Sequence, residues 1–355
     1  MRKNRLLLGI VASVLLLYLA LPVGAWHRTR AELFAILPAG STGPEGLTVG
    51  PDGNVYVTTF GFNSQGPVTG LGQLFVFNPE GKLLRQVGIA GSSPHLLGLR
   101  FNPFNGDLIV LDFGAGKALK VDPVTGASSV FMTVTGSSGL NALTFDKAGN
   151  VYVSDSFQGI IWTTGPAGPV AGTAWITDPL LATTGFPPFG ANGVDFTNDF
   201  HTLLVANTGD DRIIKIPVKS DGSAGAATIL ANAVIAADGI VLDRHGNIWV
   251  ASNQGDEMII LNPSGKVIAK LGDFRGVTDD GVPLGLLFPA SPAFGLDGKY
   301  LYVTNLALDV RVPGLGLPGA VDSPWCAKVR HYTVSKIRAR IPPLLEDDDD
   351  HPGRD

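Results

Sequence analysis

Glu45, His95, Asn141, Asn192, Asp238 and Ser291 are polar side chains that stand at one point of a repeated pattern, each just ahead of a small or apolar stretch. Their local phrases agree, as in Glu45-Gly-Leu, Asn141-Ala-Leu, Asn192-Gly-Val and Asp238-Gly-Ile. Glu45, Asn141, Asn192 and Asp238 carry oxygen donors suited to hard cations. Calcium takes about six to eight oxygens from carboxylates, amide carbonyls and water. Two carboxylates and two amides supply part of that shell, and their charge balances the ion. Zinc fits less well, because it prefers nitrogen and sulfur; another hard divalent cation remains open. A cation held here acts as a Lewis acid, polarising a carbonyl and stabilising the oxyanion that forms as water attacks. Asp238 or Glu45 then serves as the base toward water. His95 is an alternative, since a neutral imidazole accepts protons near neutral pH. Asn141, His95 and Ser291 are the expected substrate contacts.

A plainer reading exists for each residue alone. Asn and Asp commonly start strands because their side chains bond nearby backbone. Turn chemistry gives no reason, however, for every repeat to agree. His201 and His245 fall in turns and are expected to be exposed.

The elements that must bring these residues together are repeats. Gly53-Asn-Val-Tyr-Val, Gly106-Asp-Leu-Ile-Val, Gly149-Asn-Val-Tyr-Val, His201-Thr-Leu-Leu-Val, Gly246-Asn-Ile-Trp-Val and Lys299-Tyr-Leu-Tyr-Val follow one another along the chain. A period of roughly fifty residues with about four short strands per unit predicts a β-propeller. Turns such as Pro51-Asp-Gly53 and Asn78-Pro-Glu-Gly81 separate the strands, and glycine suits their positive-φ positions. The expected fold is all-β, six blades of four strands. Residues 32–37 read as an outer strand without a blade and 331–338 as a third strand without a fourth. Their pairing closes the ring and removes an exposed sheet edge.

The chain has 355 residues, a net charge of −5 and a charged fraction of 16%. No basic face is readable, which excludes nucleic acid as a partner. A single cysteine, Cys326, excludes an intramolecular disulfide and a multi-cysteine metal site. Arg2, Lys3 and Arg5 precede an apolar run over 6–25, the pattern of an export signal or of an uncleaved membrane anchor. The expected division is a signal or anchor at 1–30, a propeller at 31–341 and an acidic, disordered tail at 342–355. The protein is expected outside the cytosol as a monomer, meeting a membrane only through such an anchor.

Pro44-Glu45-Gly46, Ala191-Asn192-Gly193 and Ala237-Asp238-Gly239-Ile-Val-Leu-Asp resemble the metal-binding motifs of the senescence marker protein / gluconolactonase / luciferin-regenerating enzyme family. That family comprises calcium-dependent six-bladed propellers, related to diisopropyl fluorophosphatase, paraoxonase and strictosidine synthase. The resemblance implies metal ligands at Glu45, Asn192 and Asp238, a metal or substrate contact at Asn141, and a lactone-hydrolysing histidine at His95. No equivalent of the gluconolactonases' sugar-binding arginine is evident. The channel neighbours Leu96, Leu97, Phe60, Phe62 and Phe189 are apolar, pointing to a hydrophobic ester or lactone as substrate. The expected function is an exported calcium-dependent hydrolase of lactones or related esters. The alternative is a non-catalytic propeller that binds a ligand or protein, any metal being structural. Strictosidine-synthase-like condensation uses no metal, and the ligand set argues against it.

Overall fold

The computed structural model describes residues 29–339, apart from Pro169. The expected signal or anchor, save Thr29 and Arg30, and the acidic tail lie outside the described residues. Among the described residues no helix is long and apolar enough to cross a membrane.

The repeated phrase owes its form to one local device. Asp52 accepts hydrogen bonds from Asn54 Nδ2 (2.6 Å) and the Tyr56 hydroxyl (2.8 Å). Asp146 does the same with Asn150 (2.7 Å) and Tyr152 (3.3 Å). Asp243 does so with Asn247 (2.8 Å) and the Trp249 indole (3.1 Å). Each aspartate ties its turn to the strand that follows, so an apolar aromatic ring is buried while its polar end is satisfied.

Six four-stranded antiparallel sheets result, joined in chain order. Their innermost strands are Pro44–Val49, Leu96–Phe101, Leu140–Phe145, Ala191–Phe196, Ala237–Leu242 and Pro289–Phe294. The second blade gains a short parallel edge strand, Val170–Ala171. The sixth combines both ends of the described chain: Ala31–Ile36 pairs antiparallel with Thr333–Arg338, with Ala31 opposite Ile337. The ring therefore closes as the sequence leads one to expect. Apolar residues fill the spaces between neighbouring blades; Leu74, Leu96 and Leu108, for instance, pack between the first and second.

Every innermost strand carries the same irregularity. Its first residue pairs with the second strand, the next two are skipped, and pairing resumes at the fourth. Such a bulge re-aims the skipped side chains. The skipped pairs are Glu45-Gly46, Leu97-Gly98, Asn141-Ala142, Asn192-Gly193, Asp238-Gly239 and Ala290-Ser291. The second member is small because neighbouring blades meet there. A Cβ on Gly46 would stand 2.1 Å from the Leu97 carbonyl oxygen, and one on Gly193 2.3 Å from that of Asp238. Hydroxyls of the second strands stitch the same points: Thr58 donates to Leu97 O (2.6 Å), and Thr304 donates to Glu45 O (2.8 Å).

Candidate metal centre

The bulges turn the first member of each skipped pair toward the propeller axis. In blade order these residues are Glu45, Leu97, Asn141, Asn192, Asp238 and Ala290. The first five line a cavity of about 30 Å³, together with Thr208 and Asn253. That is room for an ion or a water and little more. The rest of the wall is apolar: Phe60, Pro187, Phe189, Phe288, Leu306, Leu308 and Val310.

All four oxygen-bearing residues expected as metal ligands thus reach one cavity, each at most 5% exposed. His95 and Ser291 do not join them. His95 precedes its strand, and Nδ1 lies 2.7 Å from the Phe60 carbonyl oxygen while the ring packs 4.9 Å from Phe62. Ser291 is the small member of its pair. It lines a separate cavity of about 280 Å³ with Gly98, Ala142, Gly193 and Gly239. The residues in phase with Glu45 are Leu97 and Ala290, so blades two and six offer the cavity no polar side chain. An alternating count along the strand cannot see the two-residue bulge, which is why His95 and Ser291 looked equivalent to the others. Of the expected apolar neighbours, Leu97, Phe60 and Phe189 line the cavity; Leu96 and Phe62 instead belong to hydrophobic clusters.

Three oxygens here are buried without a hydrogen-bond partner: Glu45 Oε2, Asn192 Oδ1 and Asp238 Oδ1. An unpartnered buried acceptor costs about 1–3 kcal/mol, and a charged one more. Their neighbours hold them in place. Asn253 Nδ2 donates to Asp238 Oδ2 (2.7 Å), Asn141 Nδ2 to Ser156 Oγ (3.1 Å), and Asn192 Nδ2 to Thr208 Oγ1 (3.0 Å). Burial, and then the neighbouring Asp238, push the Glu45 carboxyl well above its ordinary range. Burial likewise pushes Asp238 up to about 7, against the opposing pull of the Asn253 and Asn192 side chains and the Gly239 backbone. Two buried carboxylates that resist ionising together, beside an amide oxygen with nothing to accept, are a donor set that lacks positive charge.

The set fits a hard cation. Among the described residues no three or more His, Cys, Asp or Glu side chains group together as metal ligands. A cation held here would draw on the amide oxygens of Asn141 and Asn192 as well as the two carboxylates, a donor set better suited to calcium than to zinc. Ser156, Thr208 and Asn253 escaped the sequence reading. Their signal was available: blades three to five carry them directly after the second strand, where blades one, two and six have Phe60, Phe113 and Leu306.

Comparison with known proteins agrees with this architecture. The family model described as "SMP-30/Gluconolactonase/LRE-like region" matches residues 187–307, and one described as "Strictosidine synthase-like, N-terminal" matches 31–60. A search of curated proteins found no match. Among solved structures, luciferin-regenerating enzyme is similar at 15% identity, covering 85% of this chain and 94% of its own, with a TM-score of 0.59. A streptogramin B lyase matches at 14% identity over 88% of this chain and 99% of its own, TM-score 0.58. The calcium-binding protein regucalcin of Agrobacterium tumefaciens matches at 16% identity, over 88% and 98%, TM-score 0.58. At these identities the likeness to solved structures concerns the fold alone. The chain is a six-bladed propeller that carries an SMP-30/gluconolactonase/LRE-like region over residues 187–307.

Proposed function

We propose that this protein is a calcium-dependent hydrolase of lactones or related esters, with Glu45, Asn141, Asn192 and Asp238 holding the cation. The observation that carries the reading is the convergence of three unpartnered buried oxygens, on Glu45, Asn192 and Asp238, in one cavity. The gluconolactonase-type region at 187–307 and the calcium-binding name of one structural relative support it. When bound, the cation supplies Lewis acidity toward a carbonyl oxygen.

The remaining work falls to the chain's own groups. Glu45 and Asp238 are the only titratable side chains lining the cavity, so a proton leaving the attacking water goes to one of them. Both are also proposed ligands, and a bound cation would favour the ionised form of each, so either carboxylate is available to accept that proton. Asn253 fixes Asp238 Oδ2 and leaves Oδ1 facing the cavity, available to the cation. The apolar wall of Phe60, Phe189, Phe288 and Leu306 excludes water and suits a hydrophobic acyl or alcohol portion. His95 stands outside the cavity and takes no step. The 6–25 run supports an exported protein, secreted or anchored, and the same proposal takes it as a monomer acting on a small molecule.

One observation favours a second reading. The space at the four oxygens, about 30 Å³, holds an ion or a water and is walled largely by apolar side chains, as a non-catalytic propeller with a structural cation would have it. Turnover separates the two. The enzyme reading expects hydrolysis of hydrophobic lactones or esters that stops on chelation and returns with calcium. Absence of turnover across lactones, aryl esters and alkyl esters in saturating calcium leaves the binding propeller.

A further inference from the structure

The ligands on blades three, four and five each rest on a partner at the same structural position, and each partner also bonds the next blade. Asn141 donates to Ser156, whose hydroxyl donates to the Ala191 carbonyl oxygen (2.8 Å). Asn192 donates to Thr208, whose hydroxyl donates to Ala237 O (2.7 Å). Asp238 accepts from Asn253, whose amide also donates to Pro289 O. Ala191, Ala237 and Pro289 are the first residues of the following innermost strands.

The proton count makes these bonds directional. A hydroxyl has one proton. Ser156 and Thr208 give theirs to a backbone carbonyl, so toward the asparagine they can only accept. The asparagine must then present its NH₂ to the hydroxyl and its carbonyl oxygen to the cavity. The carboxylate of Asp238 needs the opposite, a donor, and Asn253 has two N–H groups for its two acceptors. Partner type is matched to ligand type on all three blades.

We infer that Ser156, Thr208 and Asn253 are positioning residues that fix the polarity of the cavity, making it an all-acceptor, cation-selective site before any ion arrives. The inference rests on the cation reading of the cavity. It goes beyond it by assigning the choice between ion-binding and ion-repelling amide orientations to three residues that need not touch the ion. Without the hydroxyl, nothing holds the Asn192 NH₂, which already lies near enough to favour the Asp238 carboxylate, against the wall, and the amide is free to turn fully toward Glu45 and Asp238 so that the site becomes self-satisfied.

The test is calorimetric titration of calcium chloride into the purified, chelator-stripped full chain, comparing parent, Thr208→Val, Thr208→Ser, Ser156→Ala and Asp238→Asn. Loss of a partner that orients a ligand typically weakens metal binding by about 10–100-fold. Thr208→Val and Ser156→Ala are expected to raise the calcium Kd by about that factor, and Thr208→Ser to restore it to near the parent value. A merely structural role would not be rescued so selectively in affinity, and melting curves of each variant report the fold separately. If Thr208→Val fails to fold, Ser156→Ala still decides. Parent-like affinity in the hydroxyl-deleted variants, with binding lost in Asp238→Asn, overturns this inference and leaves the cation site standing. No binding by the parent overturns both.

Discussion

Glu45 and Asp238 share a buried cavity, and in the absence of a cation their ionisation and folding oppose one another. Both carboxyls are raised, Glu45 well above its ordinary range and Asp238 to about 7. Outside the cavity, Asp256 is raised to about 6 and Asp322 to about 7, in each case chiefly by burial. For a carboxyl raised on folding, its stabilising contribution is complete below the unfolded value of about 4 and is lost as pH climbs through the folded one. Carboxyls lowered on folding, such as Asp199 and Asp221, act in the acid range below that window. Chelator-treated protein is therefore expected to melt at lower temperature at pH 8 than at pH 5, and Asp238→Asn is expected to shrink the difference. Calcium should oppose the decline. A melting temperature in chelator that rises from pH 5 to pH 8 would contradict this picture of the cavity. The four oxygen-bearing residues that line the cavity were legible in the sequence because each pairs a polar oxygen donor with a small residue, and close blade contact demands the small one. His95 and Ser291 misled because they lie near the right point but out of phase with it, His95 two residues before Leu97 and Ser291 one residue after Ala290.

The innermost strand is the element that turns a repeat into a site. Its bulge places one side chain in the cavity and one backbone atom pair against the next blade, so strand geometry and ligand geometry are a single constraint. At Gly193 an added Cβ would meet two backbone atoms, Asp238 O at 2.3 Å and Ile240 N at 2.6 Å. Neither can move without shifting the strand that carries Asp238. Gly193→Ala is expected to cost about 1–3 kcal/mol in a denaturant melt, the usual penalty of overpacking, and to weaken calcium binding as well. Unchanged stability and affinity would mean that the blades do not meet as closely as described. The turn device of Asp52, Asp146 and Asp243 was fully visible as a repeated phrase. The partners Ser156, Thr208 and Asn253 were overlooked, because each lies 15 or 16 residues beyond the residue it bonds and only a comparison of strand ends across all six blades sets them apart.

At the scale of the whole molecule, six sheets close a ring with strands from both ends of the described chain, and the polar residues divide unevenly around it. Blades one, three, four and five send oxygens to the axis, whereas blades two and six send Leu97 and Ala290. The residues directly after the second strands follow the same division, with Ser156, Thr208 and Asn253 on blades three to five and Phe60, Phe113 and Leu306 at the matching points elsewhere. The ring was legible from its period alone. The apolar wall contributed by Leu306, Leu308 and Val310 was not, since the segment between Asn305 and Thr333 belongs to no repeat. A cation at the axis would bond four blades at once and so contribute to the stability of the ring as well as to chemistry. The most direct measurement is equilibrium calcium binding by the chelator-stripped full chain, beside Asp238→Ala and Asn192→Ala. Saturable binding of one ion at the axis, abolished in both variants, is the result expected; no binding by the parent, or binding that both variants retain, would contradict a cation centre on the propeller axis.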